Sequence, residues 1–155
     1  MNITITTDAV KAHKLLANLE RGIRDTREPL DQTKKWLMND IQQNFNSEGK
    51  RYGMWKPLAM MTQIERARLG YGAQHPILER TGNLKRSFTA KQSNNKLEII
   101  NNVKDKKTGE GYFNKHQLGG GRIPQRVMMD IDSVGTNAIV NYFVNWIVKL
   151  VRSYL

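Results

Sequence analysis

The chain of 155 residues has no cysteine, which excludes a disulfide framework and cysteine-ligated zinc and makes the interior of a cell the default compartment. Its three histidines, His13, His75 and His116, lie far apart and form neither an H-x-x-H nor an H-E-x-x-H pair, so no transition-metal site is expected. Long apolar runs are also missing. The richest stretch, residues 138–151, is broken by Asn141, Asn145 and Lys149, and no basic start leads into an apolar segment. Neither a signal peptide nor a membrane span is expected from this pattern. Carboxylates are scarce in the middle of the chain. Between residues 50 and 126 only Glu65, Glu79, Glu98, Asp105 and Glu110 are acidic, and their spacing does not bring two together around Mg²⁺. No nucleophile elbow marks a serine as activated. Gly119-Gly120-Gly121-Arg122 could cradle a phosphate, but it lacks the P-loop pattern and reads better as a turn. His116 reads as a structural histidine hydrogen-bonded to backbone. Catalytic residues, metal and cofactor are therefore all expected to be none.

What the sequence does have is positive charge in one place. The formal charge is +11, yet residues 1–49 hold seven basic and seven acidic side chains and residues 127–155 hold two of each. Residues 50–126 carry the whole excess, sixteen basic against five acidic. Such asymmetry suggests a surface made to face nucleic acid or an acidic protein, against the blander alternative of a solvated basic loop. A chain of this length buries roughly 68–70 % of its unfolded surface, enough for one domain without metals or disulfides.

Periodicity predicts the elements. Asn2–Thr6 alternates like a short strand, and Thr7 and Asp8 offer capping chemistry for a helix with Ala9, Ala12, Leu16, Leu19 and Ile23 on one face. Asp25 or Thr26 can cap a second helix with Pro29 in its first turn, Leu30, Leu37, Ile41 and Phe45 on its buried side, and Gly49 as its stop. Two such helices in tandem suggest an antiparallel pair. A loop follows, pinned by Trp55 and carrying a short helix near 62–69. From Leu84 the period becomes two, with Leu84, Arg86, Phe88 and Ala90 on one side; with residues 96–100 this gives a hairpin. Gly82 and Asn83 would turn the chain into its first strand. Residues 101–122 read as a long basic loop, and 126–132 as a further strand closing the sheet. From Asp132 or Ser133 a last helix carries Val140, Phe143, Val144, Ile147, Val148, Val151 and Tyr154 on its apolar side. A deeply buried core helix is the favoured reading, and a helix that offers one face to a partner is the alternative. The expected class is α+β: N-terminal helices and a long C-terminal helix packed on a small, mainly antiparallel sheet, in a single domain over 1–155.

Several anchors then stand in a fixed order. Trp55 comes with Pro57, Leu58 and Thr62; Ile77 and Leu78 precede Thr81, Gly82, Asn83 and Leu84; His116 and Gln117 precede Gly119; Ile123 and Pro124 precede Arg126. In this order the chain, over about residues 36–131, resembles the tail completion (virion morphogenesis) family of tailed bacteriophages. It departs from the family pattern in following Arg126 with Val127, Met128 and Met129 rather than proline and an aromatic. The resemblance implies a structural virion protein of the tail end or neck, completing the tail and joining it to the DNA-filled head in an oligomeric, sixfold ring. It implies neighbouring neck and tail proteins as partners, the host cytoplasm as the place of assembly, and no catalysis. Trp55, Pro57, Leu78, Thr81, Gly82, Leu84, His116, Gln117, Gly119, Ile123, Pro124 and Arg126 are carried over as architectural, with Ile123, Pro124 and Arg126 leading into the next strand. Lys104, Lys106, Lys107, Lys115 and Arg122 are the expected contacts to DNA in the lumen or to an acidic partner. A non-specific DNA-binding protein of phage replication or packaging is the alternative, and a small nuclease or wall hydrolase comes third.

Overall fold

The computed structural model describes residues 9–74 and 76–154. The Asn2–Thr6 strand, the Thr7 and Asp8 cap and His75 lie outside the described residues. Helices α1 (Ala9–Ile23), α2 (Arg27–Asn46), α3 (Met60–Arg68), α4 (Asn83–Arg86), α5 (Phe113–Gln117) and α6 (Ser133–Arg152) surround one hairpin, β1 (Phe88–Gln92) and β2 (Leu97–Asn101). The fold is α+β, with helices packed on a two-stranded antiparallel sheet.

Helix α2 is the spine. Leu37, Ile41 and Phe45 project from it into a core with Trp55, Ile77, Leu84, Phe88, Val103 and Met128. Three edge-on ring pairs run through that core: Phe45–Trp55 at 5.2 Å, Phe45–Phe88 at 6.0 Å and Phe88–Phe113 at 5.5 Å. This is the favoured geometry for aromatic quadrupoles. Helix α2 ends at Asn46, earlier than the expected stop: Glu48 is the first left-handed residue after it at φ 54°, and Gly49 follows at φ 85°, lying against the Trp55 indole with no room for a Cβ. The sheet pairs Phe88 with Asn101 and Gln92 with Leu97.

The expected antiparallel pair of α1 and α2 does not form. α1 packs on α6 instead, where Gly22 lies against Leu150 so closely that a Cβ would meet it at 2.8 Å. The short link is already engaged: the Thr26 N–H and hydroxyl both donate to the Asn94 carbonyl, and Gln92 donates to the Arg27 carbonyl. The start of α2 is thus tied to the hairpin turn rather than freed for a reversal. The stripe expected on α1 is correspondingly displaced. Leu15, Asn18, Leu19 and Gly22 are half-buried, while Ala9, Ala12, Leu16 and Ile23 remain exposed.

Two strand expectations also fail. Residues 83–86 form a single helical turn, not the start of β1: the Arg86 N–H donates to the Gly82 carbonyl and the Ser87 N–H to that of Asn83. Leu84 and Phe88 are both buried at a spacing of four, which suits a helical turn as well as alternation. Residues 126–132 join no sheet, because side chains satisfy their backbone. Asn44 Nδ2 donates to the carbonyls of Val127 and Met128, Trp55 Nε1 donates to Val127, and Gln117 accepts the Met128 N–H while donating to the Met129 carbonyl. Nor is 101–122 an open loop, since it contains α5 and a bridge between Lys104 and Gly111.

The largest correction concerns α6. Asp132 caps it, accepting the Gly135 N–H at 2.8 Å, and Gly135 sits under the Trp36 ring. Gly135 is the only buried residue of the helix among those described. Ala138, Ile139, Tyr142, Phe143, Trp146 and Leu150 are half-buried toward α2 and α1, whereas Val140, Val144 and Ile147 are 52 %, 48 % and 43 % exposed. The helix is apolar on two faces and covers one. Among the described residues no helix is long and apolar enough to cross a membrane.

Candidate functional site

A cleft of about 970 Å³ opens between α3, the segment 78–84, the turn 104–110 and α5. Four of the expected contact residues, Lys104, Lys106, Lys107 and Lys115, line it; Arg122 does not. Arg122 instead sits exposed at the tip of a tight turn closed by reciprocal bonds between the Gly120 and Ile123 backbones. Those bonds occupy the Gly120 N–H, so the glycine run serves a turn, and Ile123 and Pro124 lead from it into the unladdered segment rather than into a strand.

The turn bearing the lysines is built by Asp105. Its Oδ1 accepts the backbone N–H groups of Thr108 and Lys107, both at 2.9 Å, and these bonds hold its carboxyl below the usual aspartate value. Consequently the one acid inside the run of Lys104, Lys106 and Lys107 is spent on backbone. Glu110 is paired with Lys115 at 2.5 Å. Lys104, Lys106 and Lys107 have no carboxylate within ion-pair distance among the described residues.

The floor holds two residues that charge counting alone does not distinguish. Arg66, on α3, and Arg126 are each only 4 % exposed and line the cleft. Arg126 donates from Nε and Nη2 to the Lys56 carbonyl at 3.1 and 2.9 Å, and from Nη2 to that of Pro57 at 3.3 Å. Burial lowers its pKa from the ordinary arginine value, although a guanidinium keeps its charge. Arg66 Nη1 reaches the Pro76 carbonyl at 3.1 Å, and its Nε has no partner among the described residues. Neither guanidinium has a described carboxylate partner. His116 differs from expectation: its carbonyl accepts the Arg126 N–H at 2.7 Å, but its ring Nδ1 is buried without a partner among the described residues. Burial first, and the Arg126 charge second, lower its pKa, which favours the neutral ring. Leu58, Leu78, Leu84 and Tyr112 supply apolar wall, with Leu78 held at φ 62°, a conformation that costs a residue with a Cβ about 1–2 kcal/mol.

Of the architectural anchors, Leu78, Thr81, Leu84, His116 and Arg126 line this cleft, and others brace the segments beside it. Trp55 and Gln117 hold segment 127–129, Arg126 holds the carbonyls of Lys56 and Pro57, and a Cβ on Gly119 would lie 2.7 Å from the Gln125 nitrogen. Thr81 and Gly82 sit at the start of α4, where Arg86 donates to the Thr81 carbonyl, and Leu84 is buried beneath. Arg66, and Arg80, which also lines the cleft, escaped sequence reasoning. The one available signal for Arg66 was its place one helical turn after Thr62, another cleft residue. Among the described residues no group of three His, Cys, Asp or Glu side chains is arranged to hold a metal ion. No protein-family model, no curated protein and no solved structure matches the chain.

Proposed function

We propose that this protein is a structural component of the tailed-phage virion, acting at the tail end or neck to complete the tail and join it to the DNA-filled head as one subunit of a ring. In this reading it is not an enzyme, and it assembles in the host cytoplasm before residing in the virion. The observation that carries the reading is the bracing of its anchors. Trp55, Pro57, His116, Gln117, Gly119 and Arg126 are separated by up to seventy-one positions, yet they are braced in one frame: Arg126 bonds the backbone of Pro57 and His116, Trp55 and Gln117 bond that of segment 127–129, and Gly119 lies against Gln125. Such residues serve a rigid scaffold, which is what the resemblance to tail completion proteins asks of them. Two surfaces support a role in assembly: the uncovered apolar stripe of α6, and the cleft with Lys104, Lys106 and Lys107, which have no carboxylate partner among the described residues.

Deleting the gene from the phage that carries it and imaging the lysate by electron microscopy tests the proposal. The expected result is DNA-filled heads lying beside separate, fully formed tails. Empty heads, or complete particles that fail to infect, would overturn it.

A further inference from the structure

We propose that the cleft is a peptide site, which takes an extended acidic segment of a partner protein with a carboxylate against Arg66 and Arg126 and apolar side chains on Leu58, Leu78 and Tyr112. The inference rests on reading the basic segment as partner-facing, and not on the virion as its location.

The floor argues for an anion. Two cations at 4 % exposure, facing a cavity with only backbone carbonyls as described acceptors, leave charge unbalanced in a place where water screens poorly. Arg66 Nε adds an unused donor, and a planar guanidinium matches a carboxylate with paired, parallel hydrogen bonds. Lys104, Lys106 and Lys107 at the rim draw the same ligand inward by long-range attraction.

The walls argue for a peptide over nucleic acid. A duplex carries its phosphates on a convex surface, which meets exposed lysines and not arginines at the bottom of a cleft. A single strand stacks its bases on aromatic platforms. Here Tyr112 is the only Phe, Tyr or Trp among the described lining residues, and it is turned edge-on to the neighbouring His116 ring at 6.3 Å. Three leucines form most of the remaining apolar wall, and aliphatic side chains alternating with acids along an extended strand would meet both.

The test uses the full chain and fluorescence anisotropy with four labelled probes of about ten units each: an alternating Leu/Asp peptide, an all-Glu peptide, a single-stranded oligonucleotide and a duplex. At about 0.15 M salt the Leu/Asp peptide should bind at least about tenfold more tightly than the other three, and should keep most of its affinity at about 0.5 M because the buried contacts are weakly screened. Arg66→Lys should weaken it at least about tenfold by removing the planar fork. Since Arg66 is buried, the exposed pair Lys104→Glu/Lys107→Glu serves as the second variant and should weaken binding without altering thermal unfolding. Tighter binding of either nucleic acid, equal binding of the two peptides, indifference to the rim variant, or no binding by any probe would overturn the proposal. Because the assay is made on the isolated protein, its failure leaves the deletion phenotype standing, and the reverse also holds.

Discussion

Gly82 and Gly119 share a backbone angle, φ 71°, and differ in what lies beyond it. An alanine Cβ at 82 would come within 2.4 Å of Arg86 Nη1, the far end of a flexible side chain that can move aside. At 119 it would come within 2.7 Å of the Gln125 nitrogen and 2.9 Å of its Cα, which are backbone. Gly82→Ala should therefore cost about 1–2 kcal/mol, the left-handed penalty with the Arg86–Thr81 bond loosened, and Gly119→Ala more than about 2 kcal/mol. Urea unfolding of both variants checks the order, and a larger loss at 82 would contradict it. His116 gives a second test through pH. Its folded pKa is lowered while the unfolded ring titrates near its ordinary value, so as pH falls through that value the unfolded chain takes up the proton first. The folded state loses stability toward acid. Arg126 is the charge that acts on the ring and Tyr112 the ring packed against it, so His116→Gln should lose less melting temperature than wild type between about pH 7.5 and about pH 5.5. Equal slopes would show that the ring contributes nothing. Trp55 was legible as a pin because a large aromatic in a polar loop finds cover only in the core. Arg66 was not, because nothing in the sequence separates a buried arginine from its exposed neighbour Arg68.

At the scale of elements, Asp132 does two things for α6: it caps the helix, and it pairs with Arg51 Nη2 at 3.1 Å. Arg51 also meets Asp40 on α2 at 2.5 Å, so this cluster fastens the start of α6 to the spine. Asp132→Ala should cost about 1–2 kcal/mol, while Asp132→Asn, which retains a capping oxygen, should cost less; matched unfolding curves measure the difference. Helices α2 and α6 and the hairpin were readable from period and boundary residues, but only α6 has the expected side-chain cap: Thr26, at the N-cap position of α2, gives its hydroxyl to the Asn94 carbonyl instead. The third strand was misread for a reason visible in Asn44, Trp55 and Gln117. An extended segment satisfied by side chains has the same local pattern as one satisfied by a ladder, and the partners lie 11 to 84 positions away. α6 was misread in burial and not in type, since a helix apolar on two faces carries no mark of which one its own chain will cover.

For the whole molecule, the two surfaces that support assembly should respond to salt with opposite signs. Copies of a chain with charge +11 repel one another, and the Debye length shrinks from about 30 Å at 0.01 M salt to about 10 Å at 0.1 M. If Val140, Val144 and Ile147 face a neighbouring copy, added salt should strengthen self-association, because it screens the repulsion and leaves the apolar contact intact. Binding of a negative partner at the cleft should lose over the same range only the share drawn by the exposed rim lysines, since the buried arginines are weakly screened. Sedimentation velocity across a salt series, with and without Val144→Glu/Ile147→Glu, separates the two. These side chains are 48 % and 43 % exposed in the single chain, so the pair should change its own stability by no more than about 1 kcal/mol. Oligomers that grow with salt in the wild type and vanish in the variant, with the monomer still folded, assign the stripe to the ring. Oligomers that dissolve with salt, or persist in the variant, would mean that the copies meet through charged groups instead and that α6 turns its apolar face to a different protein.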